Sequence, residues 1–343
     1  MKRTVAALTA LVIAITPLPA FAWGSAGHEL VTGAAVSSLS KDLPAFLKTK
    51  AAQWQMTILG REPDRWRGAG LVHDRERDQA HYLDVGDDGK VNGLFTLDFL
   101  PATRGDFEKA LRLKGVEPND QGYLPYAIID GYQQVVKDFA YWRASKVGST
   151  KAKTKADRDF FLQEMKLREQ LIIRDIGVWS HYVGDGSQPQ HMSDHYNGWP
   201  ELYKDPSTYP PPGAPPEMKG VHAFFEGWFV KSNVKLADVK SAMAPYKDCA
   251  CPIYKRTPDY LKVTLGFVKP LYELMQKGGL KDATPEAKTF ATQRLAAGAS
   301  ETRDMIEDAW KASAAATVGY PALNVADIES GKVVLTKDSY GAD

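Results

Sequence analysis

Histidine, aspartate and glutamate recur along this chain at spacings that suit metal chemistry. In "HYVGDGSQPQH", His181 and Asp185 are four residues apart and so share one face of a helix. Gly186 and Pro189 then break that helix, and His191 can return toward the same place from the turn. "VHAFFEG" repeats the four-residue spacing with His222 and Glu226, and "HYLD" sets His81 three residues before Asp84. "PDRWR" sets Asp64 three residues before Arg67. Imidazole and carboxylate are the ligands that zinc takes in hydrolytic sites.

"AFAWGSAGH" adds a less usual donor. Lys2 and Arg3 precede an apolar stretch from Val5 to Ile15, and Ala20 and Ala22 take the small-residue positions of a signal-peptidase site. Residues 1–22 therefore read as a secretory signal peptide, too short and wrongly flanked to span a membrane. Cleavage after Ala22 would leave Trp23 with a free amine. That amine, beside its own carbonyl, could chelate a metal through a five-membered ring, with His28 close by in sequence.

Taken singly, each piece has a plainer reading. A lone helical His-x-x-x-Asp is more often a cap or a surface pair, and an Asp-x-x-Arg is usually a solvated ion pair worth little. Five of the seven histidines in such settings (His28, His81, His181, His191 and His222) point instead to a multi-zinc site. His73, in "VHDRERD", and His195 lack a partner pattern and read as bystanders.

The elements that must position these residues are helical. "GHELVTGAAVSSL" places Leu30, Ala34, Ala35 and Leu39 on one face, and "YAIIDGYQQVVKDFAYW" and "FFLQEMKLREQLIIRDIGVWSHYVGD" carry the same period further. Thr284-Pro285-Glu286 is a helix start leading into a run that reaches Trp310. "KVVLT", residues 332–336, is a weak strand candidate. The proline-rich stretch 205–220 reads as an extended surface loop. No fixed-period repeat and no linker between independent cores is visible. The expected fold is mainly α, one domain from 23 to 343.

Bulk composition narrows the partners. The 343 residues carry a formal net charge of +1, and loss of Lys2 and Arg3 would make it slightly negative. No global basic excess suggests a protein that coats a duplex, although an enzyme can use bound metal ions as its positive charges. The two cysteines, Cys249 and Cys251 in "DCACP", read as a local bridge or free thiols, with a redox or metal role as the alternative. Nothing points to a stable protein partner, and the chain is expected to act as a monomer.

With these residues in place, the chain resembles the trinuclear-zinc type I nucleases (the nuclease S-one/P-one type, including mung bean nuclease), within the superfamily shared with bacterial zinc-dependent phospholipases C. The order of the ligands and the "HYVGDGSQPQH" block carry the resemblance from Trp23 to Glu226. It implies a multi-helix fold with a trinuclear zinc cleft and three Zn2+. Trp23 and His28 would hold one zinc. Asp64, His81 and His181 would hold a second, with Asp185 bridging the two. His191, His222 and Glu226 would hold the third, which would bind a phosphoryl oxygen and stabilise the leaving oxyanion. Asp64 could also orient the attacking water.

The same resemblance implies a substrate class. "WGSAGH" fits the Trp-Gly-x-x-Gly-His start of the nuclease branch, as do Arg67 after the first aspartate and Tyr82 and Asp84 after the next histidine. In that branch the aromatic stacks on a base, the aspartate reads the base edge and the arginine supports the phosphate. Tyr82 reads equally as a core aromatic. Glu226 departs from the pattern, because the nucleases usually show aspartate there and the phospholipases glutamate. The expectation is therefore a secreted or periplasmic endonuclease acting on single-stranded DNA or RNA, with catalytic Asp64, Asp185 and Arg67. A phospholipase C acting on phospholipid and a non-catalytic zinc-binding protein are the alternatives.

Overall fold

The computed structural model describes residues 23–199 and 220–341. The signal peptide read from residues 1–22, and all but Gly220 of the proline-rich stretch, lie outside the described residues. The architecture is mainly α. In chain order the helices are α1 (Gly24–Val36), α2 (Lys50–Leu59), α3 (Glu62–Arg65), α4 (Leu71–Arg77), α5 (Arg104–Arg112), α6 (Leu124–Lys151) and α7 (Lys155–Asp185). There follow α8 (Gly220–Ala223), α9 (Val230–Asn233), α10 (Leu236–Ala242), α11 (Ile253–Leu265), α12 (Val268–Gln276), α13 (Pro285–Ser313) and α14 (Val325–Glu329). A π-helical turn, Phe224–Phe229, joins α8 to α9. Among the described residues, no helix is long and apolar enough to cross a membrane.

The longest helices begin where side chains satisfy the exposed first-turn amides. The Thr154 hydroxyl accepts from the Asp157 N–H at the head of α7, and Thr284 accepts from the Ala287 N–H at the head of α13. Pro125 and Pro285 sit in first turns, where a missing N–H costs nothing. α6 and α7 then pack as a long hairpin, with Ile128, Val135, Phe139, Ile172, Ile176 and Trp179 in the shared core. Each such apolar side chain contributes roughly 1.5–3 kcal/mol on burial.

α1 lies between α2, α7 and α13, so it is buried nearly all round rather than along one stripe. It ends at Val36, where the Ser37 hydroxyl bonds back to the Ala34 carbonyl, and Leu39 falls beyond it. Trp23, Val31, Ala34, Phe225, Phe229, Leu271 and Leu295 form a second core cluster that ties α1 to the π turn, α12 and α13.

The strand expected at 332–336 does not form. The described strands are β1 (Thr317–Val318) and β2 (Leu323–Asn324), paired antiparallel with Val318 opposite Leu323. Leu335 instead buries its side chain singly, in a small cluster with Val325 and Ile328.

Candidate metal centre

α7 delivers two residues to the centre from its last turn. Gly186 follows Asp185 as the helix cap with an ordinary right-handed φ of −59°, so it is not a left-handed stop. What Gly186 supplies is room: a Cβ there would lie 2.6 Å from the Tyr260 ring. Pro189–Met192 then form a 3-10 turn that brings His191 back. His222 lies in α8, one residue before its end, and Glu226 lies in the π turn, where the widened helix still keeps their four-residue pairing, at 2.7 Å. Such π turns are frequent at functional sites.

Three groups of potential ligand atoms result, each group's atoms within 4.8 Å of one another: His28, His181 and Asp185; Asp64, His81 and His181; His191, His222 and Glu226. Eight of the nine residues expected as ligands therefore meet through their side chains in three adjoining sets. Asp185 touches all of them. Its Oδ1 is 3.4 Å from His28 Nε2 and 3.8 Å from His191 Nδ1, and its Oδ2 is 3.1 Å from His81 Nδ1 and 3.3 Å from His181 Nε2. His181 belongs to two of the sets, rather than to one as the sequence suggests.

Trp23, expected to bind through its main chain, is completely buried beside them. Its indole N–H is shared between the Gly184 carbonyl and the Ser187 hydroxyl, 2.9 Å from each, and its backbone N–H faces the Asp185 carboxylate. The Trp-Gly-x-x-Gly spacing has a steric reason. Gly24 takes φ +50° and passes so near the π turn that a Cβ would lie 3.2 Å from the Glu226 carbonyl. A Cβ on Gly27 would lie 2.8 Å from the Trp23 Cβ.

The electrostatics ask for cations. Burial is the largest cause holding His28, His81 and His181 well below the usual imidazole range, so their ring nitrogens offer lone pairs at neutral pH. Burial likewise lowers His191, against the pull of Glu226. Asp185 is pushed well above the carboxylate range by burial and then by Asp64 and Glu226. Burial would also raise Glu226, but the neighbouring His222 and His191 outweigh it and hold that carboxyl down. Both ring nitrogens of His28, and Asp185 Oδ1 and Glu226 Oε1, are buried without a hydrogen-bond partner. Each such group costs about 1–3 kcal/mol when left unsatisfied. Metal ions would satisfy one ring nitrogen of His28 and both carboxylate oxygens, so these residues fit a metal centre.

Three histidines have their other nitrogen fixed by main chain. His181 Nδ1 donates to the Gly60 carbonyl (2.8 Å), His222 Nδ1 to the Tyr196 carbonyl (3.0 Å) and His191 Nδ1 to the His81 carbonyl (2.5 Å). Each bond selects the tautomer with Nε2 free to coordinate. The fully buried Gln188 donates its amide to Glu226 Oε2 at 3.2 Å. Sequence reasoning missed these supports, because a backbone carbonyl has no letter and Gln188 had no spacing to mark it.

Among the remaining expected residues, Arg67 lies 3.4 Å from Asp64 Oδ1 at the edge of the centre. Tyr82, half-buried, donates its hydroxyl to the Asn119 carbonyl at 3.2 Å. Asp84 belongs to none of the three ligand sets. Its carboxyl is raised to about 8 by burial, then by Asp194 and Asp120. His73 pairs with the adjacent Asp74, and α4 around it buries nothing, in keeping with solvated charge. His195 does have a carboxylate, Asp87 at 3.0 Å, and stacks on Trp199; it stays outside the ligand sets. No family model, curated protein or solved structure matches the chain.

Proposed function

We propose that this protein is an exported zinc-dependent phosphodiester hydrolase, an endonuclease of single-stranded DNA or RNA. The observation that carries the reading is the convergence of three His/Asp/Glu sets on the one buried carboxylate of Asp185. Mixed imidazole and carboxylate donors suit zinc. Trp23 (through its freed amine and carbonyl), His28 and Asp185 would hold one ion, Asp64, His81, His181 and Asp185 a second, and His191, His222 and Glu226 a third. Zinc held in this way supplies Lewis acidity and lowers the pKa of a coordinated water toward neutrality.

The protein's own part is orientation. Asp185 fixes the spacing of the first two sets, and Asp64 accepts a hydrogen bond from the attacking water. Arg67 binds a phosphate oxygen beside Asp64 through its guanidinium fork. Tyr82 offers a face to a base, a contact worth about 1–3 kcal/mol that suits any base. Asp84 meets the base edge.

One feature favours a second reading. Glutamate at position 226 is the residue expected of a zinc-dependent phospholipase C. Purified, zinc-loaded protein assayed on single-stranded DNA, RNA and phosphatidylcholine separates the readings. Cleavage of nucleic acid is expected. Hydrolysis of phosphatidylcholine alone would replace the proposal with the phospholipase, and three bound zincs with no hydrolysis would leave a binding protein.

A further inference from the structure

Cys249 and Cys251 form a disulfide across one intervening residue, with Cα atoms 5.1 Å apart. We propose that this bond is an exchange-active site that oxidises thiol pairs, independent of the metal centre, and that it is not a structural bridge. Its contribution to stability is small by construction. A disulfide stabilises a fold mainly by shortening the loops of the unfolded chain, and the gain grows with loop length. A loop of one residue lies at the bottom of that scale.

The segment also has no need of it. The Ala244 N–H donates to Ser300 Oγ (3.0 Å) and the Lys247 N–H to Asp304 Oδ2 (3.2 Å), both on α13. Lys311 Nζ, also on α13, reaches Asp248 Oδ2 and the Tyr246 hydroxyl, each at 2.7 Å. These bonds strap residues 244–248 to α13 whether or not the sulfurs are joined.

Local conformation favours opening the ring. Ala250, between the two cysteines, is held at φ +48°, a left-handed conformation that costs a residue with a Cβ. Reduction frees it. Ala250 is exposed and both cysteines are partly so, which leaves the bond open to an attacking thiolate. Cys251 stands two residues before the start of α11, and the positive end of a helix favours a nearby thiolate.

The chemistry follows from that asymmetry. A substrate thiolate attacks Cys249 Sγ, the bond between the two sulfurs breaks, and Cys251 Sγ leaves with the electron pair as thiolate. The second substrate thiolate then attacks the substrate sulfur of the mixed disulfide and expels Cys249 as thiolate. The substrate dithiol has become a disulfide and the protein a dithiol; a small disulfide such as oxidised glutathione returns it to the start. Substrates are accessible cysteine pairs in flexible peptide segments.

The test uses the full chain in glutathione mixtures of graded reduced-to-oxidised ratio, quenched with an alkylating agent and weighed by mass spectrometry. The pair is expected to equilibrate within minutes while the fold stays intact, and Ala250→Gly, which removes the left-handed cost, should shift the equilibrium several-fold toward the closed form. A reduced dithiol peptide should gain one disulfide per oxidised chain. Replacing both cysteines by serine should leave the melting temperature nearly unchanged. A bond that stays closed in every glutathione mixture, or a double serine variant that melts far below the parent, would overturn the proposal.

Discussion

His28 and His181 stack face to face, ring centroids 3.6 Å apart and planes 15° from parallel, although one lies on α1 and the other near the end of α7. Two imidazolium cations would repel each other in that arrangement. Both rings are buried and held neutral, so each contributes a lone pair rather than a charge. Asp185 lies beside both rings, 3.4 Å from His28 Nε2 and 3.3 Å from His181 Nε2.

The first prediction concerns metal content. The mature protein should carry about three zinc ions per chain, measured by elemental analysis after mild dialysis; one or none would exclude a three-metal centre. Chelation should lower the melting temperature, because a ligand held only by the folded state adds about 3 kcal/mol at a hundredfold excess over its Kd.

Asp185→Asn should do more harm than loss of any one histidine. Asn keeps the shape but loses the charge that two ligand sets share. Phosphodiester hydrolysis should fall by about 10³-fold, the scale of losing one electrostatic catalytic group, with bound zinc reduced and the helical circular dichroism retained. Full zinc content and unchanged turnover would place the bridge elsewhere.

Trp23 offers a test that alters no side chain. A protein retaining one extra residue before Trp23 has an amide where the mature form has an amine, and an amide nitrogen has no lone pair for a metal. Compared with protein processed after Ala22, it should keep the buried indole contacts to Gly184 and Ser187 yet bind about one zinc fewer and lose most activity. Equal zinc and equal activity in the two forms would make Trp23 an apolar anchor only.

Asp84 predicts a pH dependence. Its folded carboxyl titrates at about 8 because of burial and the nearby Asp194 and Asp120, whereas in the unfolded chain it titrates near 4. Between those values the folded state binds the extra proton, so this group's contribution to stability falls as pH rises from about 4 to about 8. Asp84→Asn should therefore be near neutral at pH 4–5 and raise the melting temperature by roughly 5 °C above pH 8. A variant whose difference from the parent does not change with pH would show that Asp84 ionises normally.

Sequence alone indicated the longest helices and eight side chains that meet in three groups able to hold a metal. Apolar periodicity and capping threonines are local, and α7 and α13 follow them to within about five residues of the expected spans, whereas α6 runs nine residues past the expected Trp142, to Lys151. The pairs His181/Asp185 and His222/Glu226 were legible for the same reason, since a helix fixes the distance between residues four apart. Only the tertiary structure decided what those pairs share. That His181 serves two sets, that Asp185 reaches residues of all three, and that the Gly60, Tyr196 and His81 carbonyls orient the imidazoles depend on contacts between distant segments. His195 shows the converse, for its carboxylate, Asp87, lies on another segment and no spacing could announce it. Even the glycines of Trp-Gly-x-x-Gly-His acquire their reason from the Glu226 backbone and the Trp23 side chain packed against them. Spacing along a helix is set by the backbone, whereas packing between helices is set by the shapes of side chains that meet only after folding.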